Sequence, residues 1–424
     1  MRYLPALLLG RIVRIAVRLV RPGGGSALPG LILSKIAPNL AHKTLGSFKS
    51  GLVIITGTAG KSTTTKMAVA IVRAHGVEVF TNPSTANIEQ GFFSTIIRHG
   101  NLFGKVPGDI AIIEMDEAHA AQVAKQVNPR TAVILNVFED QLDRFIDPAL
   151  VREMLADVAR STAGTIILNA DDQNCLLIEA QLSEESDRMF FGLSNAFENE
   201  PSQGIDYAPT YLPALKKPAT AFQVISLSER TVTISISGRE ITFELPSRGI
   251  HFALDAVAAL ACAESILEER FDADLAGAVL GSLPPVFSRG EVIDIGGESV
   301  EFILVQNPIS TDINLANLQG SIDQIMFAIG RDVHDPSWLW TVDLAKLKHV
   351  SVVTGFNYAD AALALEYNNV EVDVVESDYF KAIDDFLQLP KPKHGIKTVI
   401  YSADAMRRLR RHLGFNDPED VQRV

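Results

Sequence analysis

The chain has 424 residues, enough for two or three domains, and its formal net charge of -13 argues against broad nucleic-acid binding, which needs a basic face. Its composition, 47% hydrophobic and 21% charged, is typical of a soluble globular protein. The two cysteines, Cys175 and Cys262, are too few for a disulfide framework or a zinc motif, so we expect buried thiols in a cytoplasmic protein.

The N-terminal sequence MRYLPALLLGRIVRIAVRLV predicts an amphipathic helix, with an apolar run too interrupted by arginine to span a membrane. Four arginines follow a 3-4-3 spacing and share one helical face: Arg11, Arg14, Arg18 and Arg21. This helix either packs on its own domain with the arginines in solvent, or it rests on an anionic membrane surface as a peripheral contact. With the turn-rich connection RPGGGSALPG, it forms a first predicted segment, residues 1–45.

A parallel sheet with flanking helices is predicted for the next segment, residues 46–295. Its strand candidates are nearly continuous apolar runs, as expected for strands covered on both faces: GLVIIT, VEVFT, DIAIIEMD, TAVILNV and GTIILNADD. A proline-rich excursion follows, and FQVISLSERTVTISISGREITFELP then alternates as antiparallel strands do. The sequence HFALDAVAALACAESILEERF predicts a helix by composition and spacing.

A second α/β unit is predicted over residues 296–424. Five further strand candidates alternate there with helical stretches: SVEFILVQ, QIMFAIG, HVSVVTG, VEVDVVE and KTVIYS. This pattern is typical of a smaller, Rossmann-like domain with its own sheet.

The sequence ITGTAGKSTTTK indicates a phosphate-binding loop that is shorter than the common form. The first glycine of the common motif would stand at Ile55, whereas here Gly57 lies closer to Gly60. Small residues between a strand and a helix let backbone amides approach a phosphate. Lys61 would neutralise phosphate charge, and the Ser62 hydroxyl would bind Mg²⁺. An ordinary glycine turn is the alternative, but it does not require Lys-Ser-Thr-Thr directly afterwards.

The run AIIEMDEAH ends a predicted strand with three carboxylates, at the edge where α/β folds bind ligands. Glu114 still lies inside the apolar run, so we expect it to point inward and to bind Mg²⁺. Glu117 is equally consistent with an acidic turn that caps the next helix.

Several motifs, in this order, resemble the ATPase core of the Mur ligase family: GTAGKSTTT, TNPSTANIEQG, AIIEMDE, NVFEDQLDRF and LNADD. The form DQLDRF, together with NPISTDIN and DPSWLWTVDLAKL later in the chain, is similar to the MurT-like synthetase subunits of that family. The resemblance implies a Mur-ligase-like central ATPase domain, with a parallel sheet and an antiparallel excursion, followed by a smaller α/β domain that docks a partner.

By this resemblance, the expected activity is ATP- and Mg²⁺-dependent amidation of the α-carboxylate of D-glutamate in the lipid II stem peptide, through an acyl phosphate. A GatD-like glutaminase partner in a heterodimer would supply ammonia. The expected location is the cytoplasm, or the inner face of the membrane where a lipid-linked substrate lies.

The resemblance also implies roles for individual residues. The nucleotide would lie on Gly57, Thr58, Ala59, Gly60, Lys61, Ser62 and Thr63, with Asn87 near the phosphates or the acceptor. Ser62 and Glu114 would hold the metal, and Lys61 and Glu114 would act in catalysis. Asp335 would reach into the partner's glutaminase site and orient its histidine. A plain N-cap before Pro336 is the alternative for Asp335.

This sequence departs from the family pattern at four places. The excursion lacks the family's four cysteines, which predicts no structural zinc. Phe252 and Asp255 stand where the family has two asparagines, and Phe252 could instead stack on the nucleotide base. NPIS replaces the family's NPAG, and Asn357 replaces an arginine.

Two other functions remain as alternatives. An amino-acid-adding Mur ligase usually carries a carbamylated lysine, but QNCLLIEAQ, after LNADD, contains no lysine. A non-catalytic nucleotide-binding scaffold for a glutaminase-like protein would have less need of Lys61, Ser62 and Glu114 together.

Overall fold

The computed structural model describes residues 3–20, 27–82, 89–101, 103–138, 147–197, 205, 207–284, 289–305, 307–318 and 322–415. Three helices precede the first strand: α1 (Leu4–Val20), α2 (Ala27–Ile36) and α3 (Asn39–Leu45). On α1, Leu7 is fully buried and Gly10 lies so close to Ile97 that a Cβ there would be 2.9 Å from its Cδ1. Helix α1 therefore packs along one side, although Arg11 bonds to Gly100 O and does not lie free in solvent as the packing alternative expected.

The larger sheet has nine strands in the order β2-β3-β1-β4-β5-β6-β7-β8-β9. Its strands are β1 (Leu52–Thr56), β2 (Val79–Phe80), β3 (Ile110–Glu114), β4 (Thr131–Ile134), β5 (Thr165–Asn169), β6 (Arg188–Leu193), β7 (Phe222–Ser228), β8 (Thr231–Ile236) and β9 (Arg239–Glu244). Pairing is parallel from β2 to β7 and antiparallel from β7 to β9. The predicted parallel sheet with an antiparallel extension is confirmed.

Helices cover both faces of this sheet: α4 (Lys61–Ala74), α5 (Glu89–His99), α6 (Glu117–Val127), α7 (Pro148–Ser161), α8 (Gln173–Glu179), α9 (Ile250–Leu267) and α10 (Ala273–Ser282). Alternate residues of β1 belong to different apolar clusters: Val53 and Ile55 pack with α4 and α9, and Leu52 and Ile54 pack with α2, α5 and α6. This alternation is what a strand buried on both faces requires.

Helix α9 is the central helix of one of these layers. The segment Ile250–Arg270 is long and apolar enough to cross a membrane, but 83% of its apolar window is buried inside the protein. It packs against α4 and against several strands, so its hydrophobicity belongs to the core. Cys262 on α9 and Cys175 on α8 are both buried free thiols, as expected.

The smaller sheet has six strands in the order β10-β11-β15-β12-β13-β14, all parallel except the β10–β11 hairpin. The strands are β10 (Arg289–Ile295), β11 (Glu298–Leu304), β12 (Ile325–Ile329), β13 (His349–Gly355), β14 (Glu371–Val375) and β15 (Lys397–Tyr401). The helices are α11 (Pro308–Ala316), α12 (Tyr358–Tyr367), α13 (Tyr379–Gln388) and α14 (Ala403–His412), with 3₁₀ turns at Pro336–Thr341 and Leu344–Leu347. Strand β10 pairs with this sheet although it precedes residue 296, and the proposed domain division stays a prediction.

Candidate phosphate-binding site

The loop of residues 57–60 connects β1 to α4, as predicted. Gly57 and Gly60 both have positive φ, +129° and +84°, a conformation that side chains with a Cβ rarely adopt. A Cβ on Gly57 would lie 3.0 Å from the Asn136 backbone N, and one on Gly60 would lie 2.2 Å from Asp255 Oδ1. Glycine is therefore required at both positions by backbone geometry and by space. Gly60 is the N-cap of α4, so the first amides of that helix lie at the end of the loop.

Asn136, just after β4, holds the shape of this loop. Its carbonyl accepts from Thr58 N at 3.1 Å, its side-chain oxygen accepts from Ala59 N at 2.8 Å, and its Nδ2 donates to Ala59 O at 3.2 Å. The Thr58 hydroxyl accepts from Phe138 N at 3.1 Å. The amides of Thr58 and Ala59 thus stabilise the loop itself, a role that motif reasoning did not assign to them.

Lys61 folds back over the loop that precedes it. Its Nζ donates to Gly57 O at 2.5 Å and to Thr58 O at 3.1 Å, and it lies 3.9 Å from Glu117 Oε1. The Lys61 side chain is 15% exposed, and that of Glu117 is 9% exposed. A largely buried ammonium group therefore lies beside the glycine loop, with the Glu117 carboxylate as an ionic partner.

The two carboxylates considered from the sequence lie on different parts of the β3–α6 connection. Glu114 ends β3, is buried, and pairs in register with Ile55 of β1. Asn82 fixes the Glu114 peptide with two hydrogen bonds, of 3.0 and 3.1 Å. Glu117 lies in the first turn of α6, but its side chain is buried, not solvated as the acidic-turn alternative expected, and its ion pair with Lys61 was not anticipated.

The remaining predicted ligands differ in their surroundings. Ser62 is partly exposed in the first turn of α4, Thr63 beside it is buried, and Asn87 lies outside the described residues. Phe252 is 5% exposed within the apolar cluster of α4 and α9, with its ring centroid 4.3 Å from that of His251. Stacking of Phe252 on a nucleotide base stays a prediction.

Asp255 also lies next to the loop. From the sequence it was noted only as a departure from the family pattern. It lies on α9, is buried, and its Oδ1 accepts a hydrogen bond from Thr64 Oγ1 at 3.2 Å. The same oxygen faces Gly60. The site therefore combines a glycine loop, the ammonium group of Lys61, and three carboxylates contributed by β3, α6 and α9.

Comparison with known proteins decides the family. Residues 55–263 match the family described as Mur ligase middle domain, and residues 304–403 match the family described as MurT ligase C-terminal. The chain is a MurT-like member of the Mur ligase family.

Two relatives and one solved structure illustrate the similarity of this Mur ligase family member. It is 25% identical to the lipid II isoglutaminyl synthase (glutamine-hydrolyzing) subunit MurT of Streptococcus pneumoniae, over 91% of this chain and 92% of that protein. It is 33% identical to the Staphylococcus aureus subunit of the same name, over 41% of this chain and 38% of that protein. The MurF ligase of Thermotoga maritima in complex with ADP has the same fold, with a TM-score of 0.64, 17% identity, and coverage of 90% of this chain and 84% of that one.

Beneath the loop of this Mur ligase, Asp172 supports the connection after β4. Its Oδ2 accepts from Val137 N at 2.6 Å, and its Oδ1 accepts from Asn174 N at 2.8 Å, as the N-cap of α8. Burial raises the pKa of Asp172 from 3.8 to about 6, against the opposing effect of these hydrogen bonds. The excursion packs on the same connection, where Ala208 N donates to Val137 O at 2.9 Å and the Tyr207 ring stacks on Phe138.

Replacing Asp172 with asparagine should remove a pH-dependent loss of stability. Because the folded-state pKa of about 6 lies above the ordinary value of 3.8, the folded protein binds this proton more tightly than the unfolded chain does. The wild-type free energy of unfolding should therefore fall, relative to that of Asp172→Asn, as pH rises from about 4 to about 7. The expected relative change is on the order of 3 kcal/mol. Urea unfolding of both proteins across this range measures it, and parallel pH profiles would contradict the assignment.

Asp335 lies in the C-terminal unit of this Mur ligase and caps a 3₁₀ turn. Its Oδ1 accepts from Ser337 N at 2.9 Å, and hydrogen bonds from the side chain and backbone of Ser337 hold its pKa below the ordinary value. The Asn357 side chain fixes the loop before it by donating to Gly330 O at 3.1 Å and to Val333 O at 2.8 Å. The capping interpretation is confirmed. Asp335 is also exposed, and its role in a partner's active site stays a prediction.

Proposed function

We propose that this chain uses ATP and Mg²⁺ to amidate the α-carboxylate of D-glutamate in the stem peptide of lipid II, with ammonia supplied by a GatD-like glutaminase partner. We place this activity in the cytoplasm, at the inner face of the membrane. The observation that carries the proposal is the convergence of the glycine loop, Lys61 and buried Glu114 at one edge of the sheet, in a chain similar along 91% of its length to a subunit named for this reaction.

The residues present fit a nucleoside triphosphate with a divalent cation. The first amides of α4 lie at the end of the loop, where a phosphate can approach them, and Lys61 supplies a positive charge beside the loop. The position that a Cβ on Gly60 would take is occupied by Asp255 Oδ1. The Ser62 hydroxyl and the Glu114 carboxylate are oxygen donors of the kind that Mg²⁺ prefers, and they would hold it. When bound, Mg²⁺ would spread the negative charge of the β- and γ-phosphates.

The proposed chemistry has two balanced steps. An oxygen of the substrate carboxylate attacks the γ-phosphorus, the bond to the β-phosphate oxygen breaks, and ADP leaves. Ammonia then attacks the acyl carbon, inorganic phosphate leaves, and a proton is lost from nitrogen to give the amide. Hydroxide is a poor leaving group and phosphate a good one, so phosphorylation overcomes the main chemical obstacle. Lys61 would stabilise the charge on the transferring phosphoryl group.

Mass analysis of lipid II tests this proposal. The chain, copurified with its glutaminase partner and incubated with ATP, Mg²⁺ and glutamine, should replace one hydroxyl of the stem peptide by one amino group. Ammonium chloride should support the same change without glutamine. A product enlarged by an amino-acid residue would instead identify an amino-acid-adding ligase. Unchanged lipid II with ATP left intact would identify a nucleotide-binding scaffold.

The proposed contribution of Asp335 to a partner's glutaminase site predicts a selective loss. Asp335→Asn should slow glutamine-dependent amidation by at least about 100-fold, because an amide cannot stabilise a histidine cation as a carboxylate does. Amidation from added ammonium should remain at the wild-type rate. Asparagine is also a good N-cap, so the turn at Pro336–Thr341 should stay folded.

Asp378→Asn is the matched control, because Asp378 caps α13 in the same unit by accepting from Phe380 N and Lys381 N. It should leave both rates unchanged. If Asp335→Asn lowered the glutamine-dependent and ammonium-dependent rates together, the shared catalytic site would be wrong.

A further inference from the structure

The N-terminal segment has a charge that sets it apart from the rest of the chain. Residues 1–50 contain no aspartate or glutamate and eight basic residues: Arg2, Arg11, Arg14, Arg18, Arg21, Lys35, Lys43 and Lys49. The whole chain nevertheless has a formal net charge of -13, so the remaining residues are strongly acidic. An anionic surface would therefore attract this segment and repel most of the remaining protein.

Helix α1 exposes an apolar stripe on the side opposite its packing contacts. Leu8, Ile12 and Ile15 follow i, i+4, i+7 spacing and are 44%, 62% and 61% exposed. On the other side, Ala6 and Leu7 are buried in the apolar cluster shared with α2 and α5. The stripe is thus an extra apolar face that the packing among the described residues leaves exposed.

Basic residues accompany this stripe on α1 and α2. Arg11 donates a 2.5 Å hydrogen bond to Gly100 O. The pKa of His99 is lowered by burial and then by the charge of Arg98, and Arg14 is close enough to lower it further. Helix α2, packed against α1, adds exposed Lys35. The helix thus presents apolar side chains beside cationic ones, in a segment without carboxylates.

The packed second helix also exposes apolar side chains. On α2, three more large apolar side chains are 37–53% exposed: Leu28, Leu31 and Ile36. Both helices pack on the unit that carries the glycine loop, through α5 and the cluster containing Leu52 and Ile54. Whatever binds α1 and α2 is therefore attached to the unit that carries the glycine loop.

We propose that α1 and α2 dock on a bilayer of anionic phospholipid, with Leu8, Ile12 and Ile15 at the level of the headgroups and with Arg14 and Lys35 near lipid phosphates. Anionic lipid satisfies both features of the surface, because it offers an apolar interior below a layer of negative charge. Docking on α1 and α2 of a second copy would instead bring two carboxylate-free basic segments together. The acidic remainder of the chain sets the orientation, with α1 facing the lipid. The proposal needs neither ATP nor the amidation substrate.

Sedimentation of the full chain with vesicles tests the docking. Wild-type protein should bind phosphatidylcholine vesicles that contain about 30 mol% phosphatidylglycerol, should not bind phosphatidylcholine alone, and should be released by high salt. The double variant Ile12→Asp/Ile15→Asp should lose binding by at least about 10-fold, because each aspartate removes apolar area and adds a repelled charge. Both positions are more than half exposed, so the fold should persist.

Two further variants separate apolar from charge effects. Arg14→Glu/Lys35→Glu leaves the apolar stripe intact and should weaken binding by roughly 20-fold or more, since each basic residue near an anionic surface contributes about fivefold. The control variant Leu150→Asp/Leu363→Asp changes two apolar positions that are similarly exposed but lie outside α1 and α2. Its vesicle binding should be closer to that of the wild type than the binding of Ile12→Asp/Ile15→Asp is. Equal binding to neutral and anionic vesicles, or no binding to either, would overturn the proposal. The proposal would also be overturned if the wild-type protein formed a dimer in solution and Ile12→Asp/Ile15→Asp dissociated that dimer.

Discussion

Replacing Lys61 with alanine should lower the ATP-dependent amidation rate by roughly 10³-fold, equivalent to about 4 kcal/mol of lost transition-state stabilisation. The ammonium group already lies at the loop, held by Gly57 O, Thr58 O and the Glu117 carboxylate. A phosphate would offer it a stronger, charged acceptor than the two carbonyls do. Rates with ammonium chloride as the nitrogen source measure the effect without the partner's chemistry.

Lys125→Ala is the control for loss of one positive charge. Lys125 lies on α6 of the same unit, is 58% exposed, and pairs with Asp157 at the surface, so its removal should leave the rate unchanged. Circular dichroism and thermal unfolding should show that both variants fold. Wild-type activity in Lys61→Ala would end the ligase proposal, whereas failure of vesicle binding would leave it untouched.

The parallel core was readily predicted from the sequence because its strands are continuous apolar runs covered on both faces. Strand β6, by contrast, is half-buried over most of its length, and its run MFFGL was not recognised. Strand β10 was also missed, because RGEVIDI alternates polar and apolar residues before the Gly296-Gly297 turn. Short, partly exposed strands give a weaker hydrophobic signal, and their identity depends on the neighbours that they pair with.

The sequence predicted only the part of the candidate site that lies within one continuous motif. The spacing of Gly57, Gly60 and Lys61 was sufficient to find the loop. The hydrogen bonds by which the Asn136 side chain holds Ala59 were not predicted, because an asparagine after an apolar run also fits an ordinary turn. The Lys61–Glu117 ion pair joins two helices whose approach only the sheet order fixes. Contacts of this kind depend on tertiary geometry rather than on local pattern.

The contact between Gly60 and Asp255, which are 195 positions apart, gives the other large expected effect. Gly60→Ala should weaken ATP binding by at least about 100-fold, because its Cβ would lie 2.2 Å from Asp255 Oδ1 and its φ of +84° disfavours any Cβ. Asp255 has little room to retreat, since it is buried and bonded to Thr64. Isothermal titration of ATP with Mg²⁺ measures the loss.

Two companion variants separate the steric effect from the backbone effect. Gly76, at the other end of α4, has nearly the same φ, +81°, but no atom of the described residues would lie within 4 Å of the Cβ that Gly76→Ala adds. This substitution should cost about 1 kcal/mol of stability and leave ATP binding intact. In Gly60→Ala/Asp255→Ala the clash is gone and only the backbone strain remains, so the double variant should bind ATP more tightly than Gly60→Ala alone. If it binds no better, the lost affinity comes from the backbone conformation at Gly60, and Asp255 does not shape the loop.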